Sequence, residues 1–362
     1  MTKNKNHYCI IMAGGAGVRF WPLSRDKRPK QFLDILGVGK TFIQQTFERF
    51  EKIIPKENIL VVIGESHVNL VKEQLPDIID ENILVEPVRR NTAPCIAYAT
   101  YKLLTKNPDA TVVVSPSDHL ILDETTFINT IQKCLTIAEQ KKTMVTIGVK
   151  PTRPETGYGY IQVNRKESDK SGAFKVKTFT EKPNIEMAKV FIESGEFFWN
   201  SGIFIWSLDT IKNSFNKYLP DIAELLSAGA DVYYTSKEKD FITKAYSECR
   251  AISIDFGIME KADNVDVVCA DFGWSDLGTW ASLFLHKAKD ESKNVIDAKN
   301  IFIENVKKSL IKVNSNKLVV VKDIDNYLIV DTDDVLLICP KTNDNDIKKL
   351  VDEALLKNRR YF

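Results

Sequence analysis

The chain has 362 residues, 44% of them apolar and 27% charged, an ordinary balance for a soluble globular protein and long enough for two domains. Its 50 basic and 49 acidic residues leave a formal net charge of +1, which gives no support to a nucleic-acid or membrane-surface role. No apolar segment is long enough to span a bilayer, and the polar Thr2 to His7 stretch is followed by too short a strand for a signal-peptide core. Cys9, Cys95, Cys134, Cys249, Cys269 and Cys339 form no Cys-x-x-Cys pair and lie mostly in apolar runs, as free thiols of a cytoplasmic protein do.

In chain order, Tyr8 to Met12 is a short apolar run, the pattern of a buried strand. It breaks at once into Ala13-Gly14-Gly15-Ala16-Gly17-Val18-Arg19. Thr41 to Ile53 reads as a helix with Thr41 at its cap, Ile59 to Ile63 as a strand covered on both faces, and Ser66 to Leu75 as a helix opened by a serine cap. Ile83 to Val85, Thr111 to Val114 and Met144 to Ile147 continue the strands; Ala93 to Thr105 and Thr125 to Gln140 continue the helices. This alternation predicts an α/β fold, a mostly parallel sheet with helices on both faces and ligands at the carboxyl ends of its strands. From about 150 to 285 the pattern loosens into a substrate-binding half built on the same sheet. After 290, short apolar strands from Val295 to Ile338, separated by Asp/Asn-rich turns, suggest a β-helix or a small sandwich, closed by an amphipathic helix over Asp344 to Lys357. The domain boundary is expected at residues 288/289, between Lys287 and Lys293.

The glycine turn is the chemical centre. Glycine lets phosphate oxygens approach backbone N–H groups, and Arg19 and Lys30 supply fixed cations, which together suggest a cradle for a polyphosphate. A dinucleotide fingerprint fits at Gly15 and Gly17 but meets Phe20 where its third glycine belongs. A Walker loop would end in Gly39-Lys40-Thr41, but Asp34 replaces its first glycine and no strand feeds the turn. A turn that serves packing alone is the plainest alternative. The third phosphate-binding reading is the signature of nucleotidyltransferases that make sugar nucleotides. Gly14 to Arg25 and then Pro29-Lys30-Gln31-Phe32 match it without a gap. With Phe20-Trp21-Pro22 and Pro29 to Leu33, the chain resembles the mannose-1-phosphate guanylyltransferases in particular.

That resemblance implies a Rossmann-like nucleotidyltransferase domain and a small C-terminal domain like a left-handed β-helix. It implies transfer of GMP from GTP to mannose 1-phosphate, with an oxygen of the sugar phosphate attacking the α-phosphorus in line and pyrophosphate leaving. Asp118, after the Thr111 to Val114 strand, and Asp276, in Trp274-Ser275-Asp276-Leu277-Gly278, would be the Mg²⁺ ligands; two carboxylates suffice when phosphate oxygens and water complete the octahedron. Each also suits a structural role, Asp118 as a turn former and Asp276 as the cap of a helix starting near Leu277. Val85-Glu86-Pro87 through Asn91-Thr92-Ala93-Pro94 resembles the base loop. Glu86 could accept from N1–H and the 2-amino group of guanine, a donor pair thymine lacks; the plainer alternative is that Glu86 only ends its strand and Asn91 or Thr92 caps the helix behind it, and the two roles are compatible. Ala13, Gly14, Gly15, Gly17, Arg19 and Ser117 complete the implied nucleotide site. Tyr158, Gly159, Glu181, Lys182 and Asn200 form the implied sugar-phosphate site. In Phe256-Gly257-Ile258-Met259-Glu260, Gly257 departs from the side chain usual in the family. The chain ends too early for the isomerase domain of longer relatives, so isomerase activity is not expected. Neither nucleic acid nor membrane is an expected partner, and a homodimer is compatible with the sequence. The rivals are the same fold with another nucleotide or sugar, such as thymidylyl transfer to glucose 1-phosphate, and a non-catalytic sugar-nucleotide sensor.

Overall fold

The computed structural model describes residues 3–15, 20–168, 170–313, 316–341, 344–358 and 361. β1 (His7–Met12) is followed by α1 (Phe42–Glu51), β2 (Ile59–Gly64), α2 (Val68–Gln74), β3 (Ile83–Glu86), α3 (Thr92–Lys106), β4 (Thr111–Pro116), β5 (Leu120–Ile121), α4 (Glu124–Lys141) and β6 (Met144–Val149). Next come β7 (Tyr160–Ser168), β8 (Phe174–Thr180), α5 (Ile185–Ser194), β9 (Phe197–Ser207), α6 (Leu208–Tyr218), α7 (Pro220–Ser227), α8 (Glu238–Glu248), β10 (Val265–Ala270) and β11 (Trp274–Ser275). After α9 (Trp280–His286), the strands β12 (Val295–Asp297), β13 (Ile301–Lys307), β14 (Leu310–Val313), β15 (Val319–Asp325), β16 (Tyr327–Asp331) and β17 (Leu336–Pro340) lead to α10 (Asp344–Lys357).

By its internal contacts the chain forms two compact units, each drawn from two stretches: Met1–Gly14 with Ile43–Trp274, and Gly15–Phe42 with Ser275–Phe362. In the first unit a nine-stranded sheet runs in the order β3-β2-β1-β4-β9-β6-β10-β8-β7. β1 lies parallel to β2 and β4, with Ile10 opposite Leu60 and Val114. β2 and β3 are parallel, as are β6 and β10. β9 runs against β4, β6 and β7, and β8 against β7 and β10, so the sheet is mixed, with seven of its nine strands pointing the same way. The solid apolar strands follow from coverage on both faces: Ile10, Leu60, Val62, Val112 and Val114 are buried in one core with Ile96, Ala97 and Ala99 of α3, Phe215 of α6 and Tyr246 of α8, and the alternate residues Cys9, Ile11, Val61 and Val113 are buried as well. Each buried Val, Leu, Ile or Phe among them contributes about 1.5–3 kcal/mol by leaving water. As expected, β7 to β10 extend the same sheet.

In the second unit β12, β14 and β16 stack in parallel, β17 closes that sheet antiparallel, and β13 pairs in parallel with β15. Ile301 faces Val319 and Leu310 faces Leu328; both pairs are 18 residues apart (319 − 301 and 328 − 310), the repeat of a coil wound on itself. This is the β-helix-like alternative, not the sandwich. Val306, Ile311, Val313, Val321 and Ile329 fill its interior. Two expected caps differ. Ser66 sits inside a 3-10 turn, Glu65–His67, and its hydroxyl meets His67 Nδ1 instead of capping α2. Asp276 does not cap the helix after it: Thr279 does, through a reciprocal capping box with Ser282.

Candidate functional site

The site begins where β1 ends. Ala13 is buried and its N–H donates to the Val62 carbonyl at 2.9 Å. A side-chain carbon on Gly14 would lie 3.2 Å from Glu86 Oε2, so glycine there leaves room for the carboxylate. Glu86, the last residue of β3, is only 6% exposed. Burial raises its pKa from 4.5 to about 7, against the opposing pull of the Tyr246 hydroxyl and Arg89. Its Oε1 accepts from Tyr246 at 3.1 Å.

Asn91 caps α3, its side chain accepting from Thr92 N at 2.8 Å, with a positive φ of 68°. Thr92 Oγ1 accepts from Ile254 N at 2.8 Å. Of the two, Asn91 is the cap, while Thr92 is the first residue of α3 and docks the turn at Ile254. Positive φ also occurs at Lys182 (36°) and Leu277 (43°).

Ser117 and Asp118 follow β4. Ser117 is buried; its N–H donates to Met12 O at 3.1 Å, and its carbonyl accepts from Thr46 Oγ1. Asp118 is half-buried, and beside it His119 Nδ1 accepts from Trp274 Nε1 at 3.1 Å. His119 is therefore a hydrogen-bonding and packing residue, edge-on to Trp274.

The expected sugar-phosphate residues converge within the first unit. Asn200 N donates to Gly159 O at 2.8 Å, and a side-chain carbon on Gly159 would lie 3.0 Å from Glu181 Oε2. Lys182 pairs with Glu181 Oε1, and both side chains are exposed. Asn200 Oδ1 accepts from Gly202 N, and its Nδ2 donates to Asp255 Oδ1 at 2.8 Å. Burial raises the Asp255 carboxyl, and Glu181 adds to the rise. Burial also raises Glu260, helped by Asp255 and Glu181. Tyr158 packs edge-on against Trp199 and Trp274, and so is buried among aromatics.

Gly15, Lys30 and Asp276 belong to the second unit. Lys30 sits in a 3-10 turn, Lys30–Phe32, and is 4% exposed. Its ammonium donates to the Asp276 carbonyl oxygen at 2.5 Å and lies over the rings of Phe20 and Phe42. Gln31 Nε2 donates to Gly15 O at 3.2 Å. Asp276 Oδ1 accepts from Gly278 N at 2.9 Å. Gly17 and Arg19 lie outside the described residues. Sequence reasoning passed over Tyr246, Asp255 and Gln31. Gln31 was inside a matched motif and Asp255 directly precedes one, whereas nothing local marks Tyr246.

Among the described residues no group of three or more His, Cys, Asp or Glu side chains converges as a metal cage. The two expected carboxylates suit a hard divalent ion that keeps water and phosphate oxygens in its shell, not zinc. No helix among the described residues is long and apolar enough to cross a membrane.

Residues 8–293 match the nucleotidyl transferase family. A mannose-1-phosphate guanylyltransferase from Salmonella montevideo is 39% identical over 359 residues, which cover 97% of this chain and 74% of that protein. One from Escherichia coli is 36% identical over 361 residues, covering 97% of this chain and 76% of that protein. A solved structure from Thermus thermophilus, described as a mannose-1-phosphate geranyltransferase, superposes with a TM-score of 0.86 at 28% identity, over 96% of this chain and 99% of that one. The chain therefore belongs to the nucleotidyl transferase family and, within it, to the mannose-1-phosphate guanylyltransferases.

Proposed function

We propose that this protein transfers GMP from GTP to α-D-mannose 1-phosphate, releasing GDP-mannose and pyrophosphate. The observation that carries the reading is Glu86: a buried carboxylate at the carboxyl end of β3, with one oxygen facing Gly14. A carboxylate accepts from both neighbouring donors of guanine, N1–H and the 2-amino group. Gly14, Gly15, Gly17, Arg19 and Lys30 serve the departing β,γ-phosphates by backbone N–H groups and positive charge. Ala13, Asn91, Thr92 and Ser117 line the nucleoside. Lys182 holds the nucleophilic phosphate, while Tyr158, Gly159, Glu181 and Asn200 receive the sugar. In-line transfer is served by alignment and charge neutralisation, without a covalent intermediate.

Enzymes of this family take a nucleoside triphosphate and a sugar phosphate and use a divalent metal. Here we assign Mg²⁺, with Asp118 and Asp276 as the residues that would hold it, where it would supply neutralising charge near the α-phosphate. The reading places the protein in the cytoplasm, with residues 1–288 as the catalytic domain and 289–362 as the C-terminal domain, and allows a homodimer. The test is a panel of four NTPs against several sugar 1-phosphates, followed by pyrophosphate release. GTP with mannose 1-phosphate should exceed every other pair, and preference for another pair would replace this reading. Chelation should stop turnover and Mg²⁺ restore it, whereas near-normal turnover of Asp118→Ala at saturating Mg²⁺ would remove Asp118 as a ligand.

A further inference from the structure

Tyr246 lies in the last turns of α8, 160 residues from Glu86 in sequence, and is fully buried. Its hydroxyl is 3.1 Å from Glu86 Oε1 and 3.2 Å from the Pro94 carbonyl oxygen. A phenol has one proton to give and an oxygen that accepts. Toward a carboxylate the hydroxyl donates to Oε1. Toward a neutral acid it accepts from Glu86 and donates to Pro94. The helix that carries it is tied to the base loop. Arg90 Nε donates to Tyr246 O at 3.0 Å and Arg90 Nη2 to Ser247 O at 3.3 Å; Ile252 N donates to Arg90 O, and Ala93 N to Ile252 O.

We propose that Tyr246 is a positioning residue for base selection: it holds Oε1 of Glu86 so that Oε2 faces Gly14 and the carboxylate meets the N1–H and 2-amino donors of guanine. This rests on the reading of Glu86 as the guanine acceptor. The titratable groups around Glu86 are Tyr246 from α8, Cys95 from α3 and Arg89 from its own loop. Burial keeps both the phenol and the thiol protonated, so the Tyr246 hydroxyl and the Arg89 charge favour ionised Glu86. Burial alone opposes it.

The test is Tyr246→Phe, assayed over varied GTP at saturating mannose 1-phosphate from pH 6 to 9. A hydrogen bond to a charged group is lost, so KM for GTP at pH 7 should rise roughly tenfold with kcat within about twofold. The pH below which KM climbs should move upward, because Glu86 ionises less readily without its donor. A residue that only filled space would leave that pH unchanged. Glu86→Gln separates the two readings. If it keeps the preference for GTP over ATP, Glu86 is not the base reader and the proposal falls with it. If Glu86→Gln loses the preference while Tyr246→Phe keeps wild-type KM and pH profile, only the Tyr246 proposal is overturned. Should Tyr246→Phe not fold, 3-fluorotyrosine placed at position 246, which keeps the size and makes the hydroxyl a stronger donor, takes its place: the pH below which KM climbs should move downward, and an unchanged pH profile overturns the proposal.

Discussion

At the scale of single residues, Glu86 is a carboxyl group whose burial opposes the charge that water would give it. Its pKa of about 7 in the folded chain lies above the ordinary 4.5. Between those values the unfolded chain gives up a proton that the folded chain keeps, so folding stability falls as pH rises and the loss is complete above about 7. The loss is on the order of 3 kcal/mol. Glu86→Gln carries no charge to bury, so it should melt above the wild type at pH 8, with the gap closing toward pH 5; an equal gap at both values would contradict the burial argument. Lys30 is a second buried charge, bonded to the Asp276 carbonyl and flanked by two aromatic rings. Lys30→Met should lower kcat on the order of a hundredfold, the scale of one preorganised charge, while circular dichroism stays unchanged. Turnover near wild type would exclude Lys30 from phosphate stabilisation.

At the scale of elements, side chains that satisfy otherwise unpaired backbone N–H groups tie distant segments together. The stretch after β3, where we propose base recognition, is the clearest instance: Asn91 caps α3 and Thr92 accepts from Ile254, so the same short stretch ends a strand, opens a helix and docks a distant turn. In the C-terminal coil, Asn294 plays the equivalent part. It is 1% exposed, donates to Val306 O at 2.8 Å and to Asp290 Oδ2 at 3.0 Å, and accepts from Ser309 N at 2.9 Å. Asn294→Ala would strand a buried N–H and a buried carbonyl, which should cost about 3 kcal/mol. Urea denaturation with an unchanged m-value checks this, and a cost below about 1 kcal/mol would show that the coil closes without that residue.

At the scale of the whole molecule, the second unit ties the stretch that follows the glycine turn, residues 20–42, to the chain's tail. Trp21 Nε1 donates to Tyr361 O, Trp280 Nε1 to Trp21 O, Arg25 to both Asp334 oxygens, and Lys287 to Leu36 O. A fragment ending at residue 288 loses the Asp334 and Tyr361 partners and the strands of the coil. Such a fragment should melt below the full chain, with amide exchange rising most over residues 20–42. Equal protection in that stretch would show that it folds without the tail.

By itself the sequence determined the local elements and the chemical inventory. Short, β-branched apolar runs bounded by turn signals read as strands covered on both faces, so β1, β2 and β4 were legible from composition and length. The glycine turn, Lys30, Asp118, Glu86 and Asp276 were legible as residue types in a fixed order. The strands and turns of the tail were legible too, although the 18-residue register that distinguishes a coil from a sandwich needed strand pairing. Tertiary structure alone decided the rest. It inserted β9 antiparallel between β4 and β6, a long-range pairing with no trace in local periodicity. It chose Thr279 over Asp276 as a cap, because the helix starts later than the pattern suggests. It also brought Tyr246 to Glu86 across 160 residues, since a hydrogen bond depends on where two atoms come to rest and not on their spacing along the chain.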